Sequence, residues 1–193
     1  MKKFLGLFLF IVTIGAAISV EKNQYKEELL ERGWLYGCTP ANWSLTEPMR
    51  GGFSVAAMKG ELEIMDLEVK AGLDISSCGP YLPPVVMQKK QPEALDFLLK
   101  NGYSANVEYL GYTYLRLGIY YKNPEMVEVL IKNGADVNQV SKKYTPLNFA
   151  IKKKNPEIVK LLIDAGANPD EKTAQLLKKT KSDEIKSLFD SRN

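Results

Sequence analysis

The side chains with the most chemistry to offer are two cysteines, Cys38 and Cys78, and a set of tyrosines interleaved with lysines, among them Tyr120-Tyr121, Lys142-Lys143-Tyr144 and Lys152-Lys153. Histidine is absent. Without it the chain lacks the Ser–His and Cys–His pairs of nucleophilic catalysis and the commonest ligand of transition metals, and two cysteines alone do not make a zinc site. Asp, Glu and Lys remain as acids and bases, but no glycine-rich phosphate loop, nucleophile elbow or metal-spaced cluster accompanies them. The sequence is therefore read as non-enzymatic, with no cofactor and no metal. The cysteines can pair as a disulfide or stay as two thiols, and the redox compartment decides between these. The tyrosines offer rigid contact area with a polar end, which suits an interface.

The first residues bear on the compartment. Lys2 and Lys3 precede an apolar run from Phe4 to Ile14, and small residues Gly15, Ala16, Ala17 and Ser19 follow before the polar Glu21. This is the pattern of a secretory leader spanning residues 1–19, with cleavage sites after Ala17 or Ser19. The alternative is an uncleaved anchor, because the apolar stretch to Val20 reaches the short edge of a spanning helix. A leader predicts a periplasmic or secreted protein with no membrane association after cleavage, and an even cysteine count there favours the disulfide. The formal net charge is +3, and removing Lys2 and Lys3 leaves 24 basic residues against 23 acidic ones. Near-neutrality gives no whole-protein case for nucleic acid.

The elements that position these residues emerge from self-similarity. Asn155-Pro156-Glu157-Ile158-Val159 resembles Asn123-Pro124-Glu125-Met126-Val127, then Gln91-Pro92-Glu93-Ala94-Leu95 and Glu61-Leu62-Glu63-Ile64-Met65. Gly72, Gly102, Gly134 and Gly166 follow these segments at intervals of 30, 32 and 32 residues. Each unit reads as two helices and a turn. In the last, Thr145 caps a first helix that has Pro146 at its first position and runs to about Lys153. Asn155 caps a second helix with an apolar face of Ile158, Val159, Leu161, Leu162 and Ile163, ended by Gly166. Such short helices bury their faces only by stacking on neighbours.

Thr145-Pro146-Leu147, Ala150, Asp164-Ala165-Gly166-Ala167-Asn168 and Leu130-Ile131-Lys132-Asn133-Gly134-Ala135-Asp136-Val137-Asn138 resemble the ankyrin repeat. Val55-Ala56-Ala57-Met58-Lys59-Gly60-Glu61-Leu62-Glu63-Ile64 is similar to its helix-turn-helix core. The resemblance covers about residues 50–190 and implies an all-α solenoid of stacked helix pairs joined by short β-turns. The expected organisation is a cap with a degenerate half-repeat over 20–50, repeats over about 51–80, 81–112, 113–144 and 145–170, and a C-terminal capping unit over 171–193. In the cap, Tyr25 to Gly33 is expected as a helix, and residues 34–50, with both tryptophans, as an irregular cover for the first repeat. Four departures stand out. The family's usual histidine is replaced by Asn148, Arg116, Pro84 or Ser54, so its inter-repeat hydrogen bonds must be replaced or lost. Pro83-Pro84 predict a late start for one first helix. Gly118 replaces a core alanine. Glu68 takes the register of Leu98, Leu130 and Leu162, and is expected to reach water or a basic residue.

The family's usual activity is protein recognition through the turn tips and the concave side of the first helices. Carried over by position, this implies binding by Met58, Lys59, Gln88, Lys89, Tyr109, Tyr112, Tyr120, Tyr121, Lys142, Lys143, Tyr144, Lys152 and Lys153, with Glu108 also in a turn. If Gly33 closes a degenerate repeat, Cys38 and Cys78 fall at similar places in successive turns, and a bond between them requires the cap to bend inward. Lysines beside tyrosines favour an acidic protein partner. The expectation is a monomeric protein-binding module in the bacterial periplasm or outside the cell, as an immunity-type antagonist of a toxin. The alternatives are an accessory or holding factor for a resident envelope enzyme, or an exported effector that binds a host protein.

Overall fold

The computed structural model describes residues 18–32, 34, 36–38 and 52–190. The leader through residue 17, Gly33 as a helix end, and the stretch 39–51 with Trp43 lie outside the described residues. The chain divides into two units, Met1–Cys78 and Gly79–Asn193. Among the described residues no helix is long and apolar enough to cross a membrane.

In the first unit, helix α1 covers residues 18–31, beginning upstream of the expected Tyr25 and taking in Ile18 and Ser19. It buries Leu29, whose carbonyl accepts a 2.8 Å hydrogen bond from the Trp34 amide. The same closure ends later helices: Leu73 donates to Glu68, Tyr103 to Leu98, Ala135 to Leu130 and Ala167 to Leu162. α1 therefore ends as the second helix of a repeat ends. α2 (Phe53–Lys59) and α3 (Leu62–Lys70) pack as a pair. A 3-10 turn, Ile75–Cys78, then brings Cys78 to Cys38, and a disulfide joins them with alpha carbons 5.1 Å apart. The inward bend the pairing requires is present.

Glu68 departs from expectation. It is fully buried, not solvated, and among the described residues no basic side chain meets it. Its Oε2 accepts a 2.8 Å hydrogen bond from the Gly37 amide, while its Oε1 has no partner. Burial pushes its pKa up to about 7, against the downward pull of the Gly37 and Phe53 amides. The Gly37 amide, next to Cys38, supplies a hydrogen-bond donor where water or a basic residue was expected.

The second unit holds four helix pairs. These are α4 (Leu82–Gln88) with α5 (Pro92–Lys100), α6 (Tyr114–Tyr120) with α7 (Pro124–Lys132), α8 (Pro146–Lys153) with α9 (Pro156–Asp164), and α10 (Glu171–Lys179) with α11 (Asp183–Asp190). First helices pack on first helices and second on second. The buried stripe includes Leu95, Leu98, Met126, Leu130, Ile158 and Leu162, and each such residue contributes about 1.5–3 kcal/mol of transfer free energy. Local signals set the helix starts. Thr113 and Thr145 accept from the Arg116 and Asn148 amides, and Asn123 and Asn155 from those of Met126 and Ile158. Asp170 and Thr173 form a reciprocal capping box, and α10 begins at Glu171, the first residue of the expected C-terminal capping unit. Gly102, Gly134 and Gly166 all carry positive φ, the left-handed backbone that ends each second helix.

α4 starts at Leu82, in register with Tyr114 and Pro146, so the late start expected from Pro83-Pro84 does not occur. First-turn amides have no intrahelical acceptor, and the two prolines forgo nothing there. Gly118 lets α7 close in: a Cβ there would lie 3.3 Å from Val127 Cγ2. Asparagines link successive turns, with Asn106 bonded to the Gly134 carbonyl and the Asp136 amide, and Asn138 to the Gly166 carbonyl and the Asn168 amide.

Candidate functional site

Two short hairpins place the aromatic residues. β1 (Glu108–Tyr109) pairs with β2 (Tyr112–Thr113) around Leu110-Gly111, and Ser141 bridges Tyr144 around Lys142-Lys143. Two-residue hairpin loops of this kind want positive φ at both central positions. Leu110 and Gly111 have φ of 54° and 73°, and Lys142 and Lys143 have 47° and 75°. Three of these four residues carry a side chain in a region that favours glycine. Behind the hairpins stand α6 and α8, which contribute Arg116, Leu117 and Tyr120, and Phe149, Lys152 and Lys153.

These elements converge on an array of rings and cations. The Arg116 guanidinium lies 4.0 Å from the centroid of the Phe149 ring, 5.5 Å from that of Tyr112 and 5.9 Å from that of Tyr144. Its Nη1 donates to the Ser141 carbonyl at 2.6 Å. Burial pulls its pKa below the ordinary arginine value, and the Tyr112 and Tyr144 hydroxyls oppose that pull. Lys153 sits 4.4 Å over Tyr120, Lys142 5.4 Å over Tyr112, and Lys172 4.3 Å over Tyr144. Lys152 lies 4.7 Å over Tyr144 and hydrogen-bonds its hydroxyl at 3.1 Å, which holds that phenol below the usual tyrosine value. Lys172 also donates to the Lys143 carbonyl, securing the hairpin tip. Among the described residues, the ion pairs use Arg32, Lys70, Lys100, Lys160 and Lys186. None of the five cations of the array is paired with a carboxylate among the described residues.

Within the array is a hollow of about 380 Å³ lined by Tyr112, Arg116, Leu117, Tyr120, Phe149 and Lys153. Of the residues singled out from sequence, Tyr112, Tyr120, Tyr144, Lys142, Lys152 and Lys153 come together here. Tyr109 is half-buried and pairs with Tyr112 across the hairpin. Lys143 is exposed at the hairpin tip. Tyr121 stacks edge-on to Tyr120 but lines a separate hollow with Lys90, Lys122, Glu125 and Glu157. Gln88 and Lys89 are exposed at the end of α4 and line neither hollow. Met58 and Lys59 belong to the first unit, where Lys59 lies 5.7 Å over the Trp34 ring. Sequence reading missed Phe149 and Lys172 as members. It met Arg116 only as a substitution for the family's histidine, and that substitution was the available signal.

Asn148, in the same register as Arg116, does the histidine's linking work. Its Nδ2 donates to both Asp170 carboxylate oxygens at 2.9 Å, and its Oδ1 accepts from Thr173 at 2.7 Å. Asn148 is thus consumed inside the fold, while Arg116 keeps most of its donors for the hollow.

The model for ankyrin repeats (3 copies) matches residues 53–141 and again 85–173. No curated protein matches the sequence. Among solved structures, the chain is similar to the ankyrin repeat domain of Bcl-3, a unique member of the IkappaB protein family, with a TM-score of 0.61 and 18% identity. That match covers 71% of this chain and 66% of the other, so the chain spans just under two thirds of that domain. At this identity the likeness speaks to fold alone. Ankyrin repeats act in protein–protein interaction. With the three-copy model matching in two overlapping registers that together span residues 53–173, well over half of the sequence, the chain belongs to the ankyrin-repeat family.

Proposed function

We propose that this chain is an exported protein-binding module whose second unit takes an acidic region of a partner protein. The observation that carries the reading is the array itself: Arg116, Lys142, Lys152, Lys153 and Lys172 lie over aromatic rings with no carboxylate paired to them among the described residues. Such cations favour an acidic surface and speed encounter with it. Holding Lys142 and Lys143 in the left-handed region is a strain that recurs at binding sites. Export rests on the leader-like residues 1–19 and on the Cys38–Cys78 bond, which suits an oxidising compartment. Within that compartment the module acts as a monomeric antagonist that occludes its partner.

Affinity purification from the envelope fraction under non-reducing conditions, with mass spectrometry of the captured protein, tests the reading. The expected result is one dominant acidic partner, bound tightly and released by salt. The double substitution Tyr120→Ala with Tyr121→Ala should weaken capture by about tenfold or more while leaving the thermal midpoint almost unchanged. Equal losses of binding and stability would make the tyrosines packing residues. Loose, micromolar binding would point to an accessory factor and overturn antagonism.

A further inference from the structure

Resting on the acidic-partner reading, we infer that the hollow between α6 and α8 is a composite pocket. It receives a partner's carboxylate side chain on Arg116 together with a neighbouring apolar side chain. Arg116 is half-buried, stacked on Phe149, and bonded to a single carbonyl, Ser141 O. A guanidinium carries five N–H donors in a rigid plane. A desolvated cation with most donors unused and no carboxylate partner is an unfavourable arrangement in the free protein, and a planar anion relieves it. Carboxylate fits that fork bidentately. The Arg116 donors and the ammonium of Lys153 are the charged groups of the hollow; Lys142 stands over Tyr112 at its edge.

The remainder of the lining is not built for charge. Leu117, Phe149 and the ring faces of Tyr112 and Tyr120 are apolar or aromatic. A hollow of about 380 Å³ falls at the small end of the range for ligand pockets, roughly 300–1,000 Å³. It is larger than one carboxylate needs and suited to one additional aliphatic or aromatic side chain. The surrounding Lys142, Lys152 and Lys172 lie over Tyr112 and Tyr144 and extend the positive field beyond the hollow. The occupant is therefore a run of acidic residues interrupted by one apolar anchor, and a uniformly acidic tail is the poorer ligand.

Titration calorimetry on the full chain with two blocked peptides tests this. One is a glutamate run with a central leucine, and the other is the same run with glutamine in place of the leucine. The leucine peptide should bind about tenfold more tightly, and Arg116→Gln should remove most of that binding. Arg116→Lys, which keeps the charge and loses the fork, should recover only part. Because Arg116 packs on Phe149, Lys153→Gln serves as a second variant outside the packed core; it should weaken the leucine peptide about threefold with an unchanged melt. Equal binding of the two peptides, indifferent to Arg116, overturns the pocket and leaves the acidic-partner reading standing. No binding of either peptide overturns both. Displacement of the leucine peptide by inorganic phosphate at constant ionic strength would make the site a general anion hole and overturn the carboxylate-plus-apolar assignment.

Discussion

Glu68 in the first unit is enclosed and meets the Gly37 amide of the cap, whereas Arg116 in the second is half-buried among rings and meets one carbonyl. Both charges replace what the repeat ordinarily carries at that register, a leucine in one case and a histidine in the other. The difference teaches what each unit does with a desolvated charge. The first unit turns it inward, so that the acid depends on a loop held by a disulfide. The second leaves the cation's donors facing a hollow, where another molecule can meet them. A misplaced charge is thus a structural tie in one region and an invitation to bind in the other.

The largest effect should come from cutting the tie. Cys38 and Cys78 are 40 residues apart in sequence, and losing a bond that closes such a loop destabilises by about 3–4 kcal/mol. Both tryptophans, Trp34 and Trp43, precede Gly79, so tryptophan emission reports the first unit selectively. Cys38→Ser with Cys78→Ser should shift the denaturant midpoint followed by tryptophan emission sharply downward. An unmoved midpoint would mean that the Gly37 segment holds its place without the bond, and the contrast between the units would lose its basis.

Next in size is the titration of Glu68. Its carboxyl is raised from an ordinary 4.5 to about 7. Between those values the folded protein keeps a proton that the unfolded chain has released. The associated stability is full below about 4.5, declines as pH rises, and is gone above about 7. The expected decline is of the order of 1–3 kcal/mol. Glu68→Gln keeps an acceptor for the Gly37 amide and removes the titration, so it should flatten the profile and gain most at pH 8. Urea titrations across pH, followed by tryptophan emission, check this; a Gln variant with the parent's slope would place the titrating group elsewhere.

Repeat glycines, proline-capped helices and apolar stripes were legible in the sequence because each is a local rule that recurs in register. The disulfide was legible as one of two alternatives. The fate of Glu68 was not, because its partner is a backbone amide contributed by Gly37, and backbone donors leave no mark in side-chain pattern. Phe149 and Lys172 escaped for a related reason. Phe149 reads as core by its spacing in α8, and Lys172 reads as a solvated lysine of the cap, until both are placed against Arg116 and Tyr144. Pro83-Pro84 misled in the opposite direction. Two prolines read as a delayed start, whereas the first turn of a helix is the place where missing amides cost least.

The smallest effect compares two hairpins of the second unit. Gly111 and Lys143 occupy the same turn position, with φ of 73° and 75°. Glycine enters that region freely and lysine does so at a penalty, partly offset by the entropy glycine loses on folding. Lys143→Gly should therefore stabilise the protein by about 0.5–1 kcal/mol, read as a small rise in the melting temperature by far-ultraviolet circular dichroism. The same variant should bind the partner more weakly if this tip is kept as lysine for contact. Stabilisation with undiminished binding would remove Lys143 from the interface while leaving the Arg116 hollow intact. A lowered melting temperature would instead show that the Lys143 side chain relieves strain locally, and that the left-handed backbone is no sign of function at this turn.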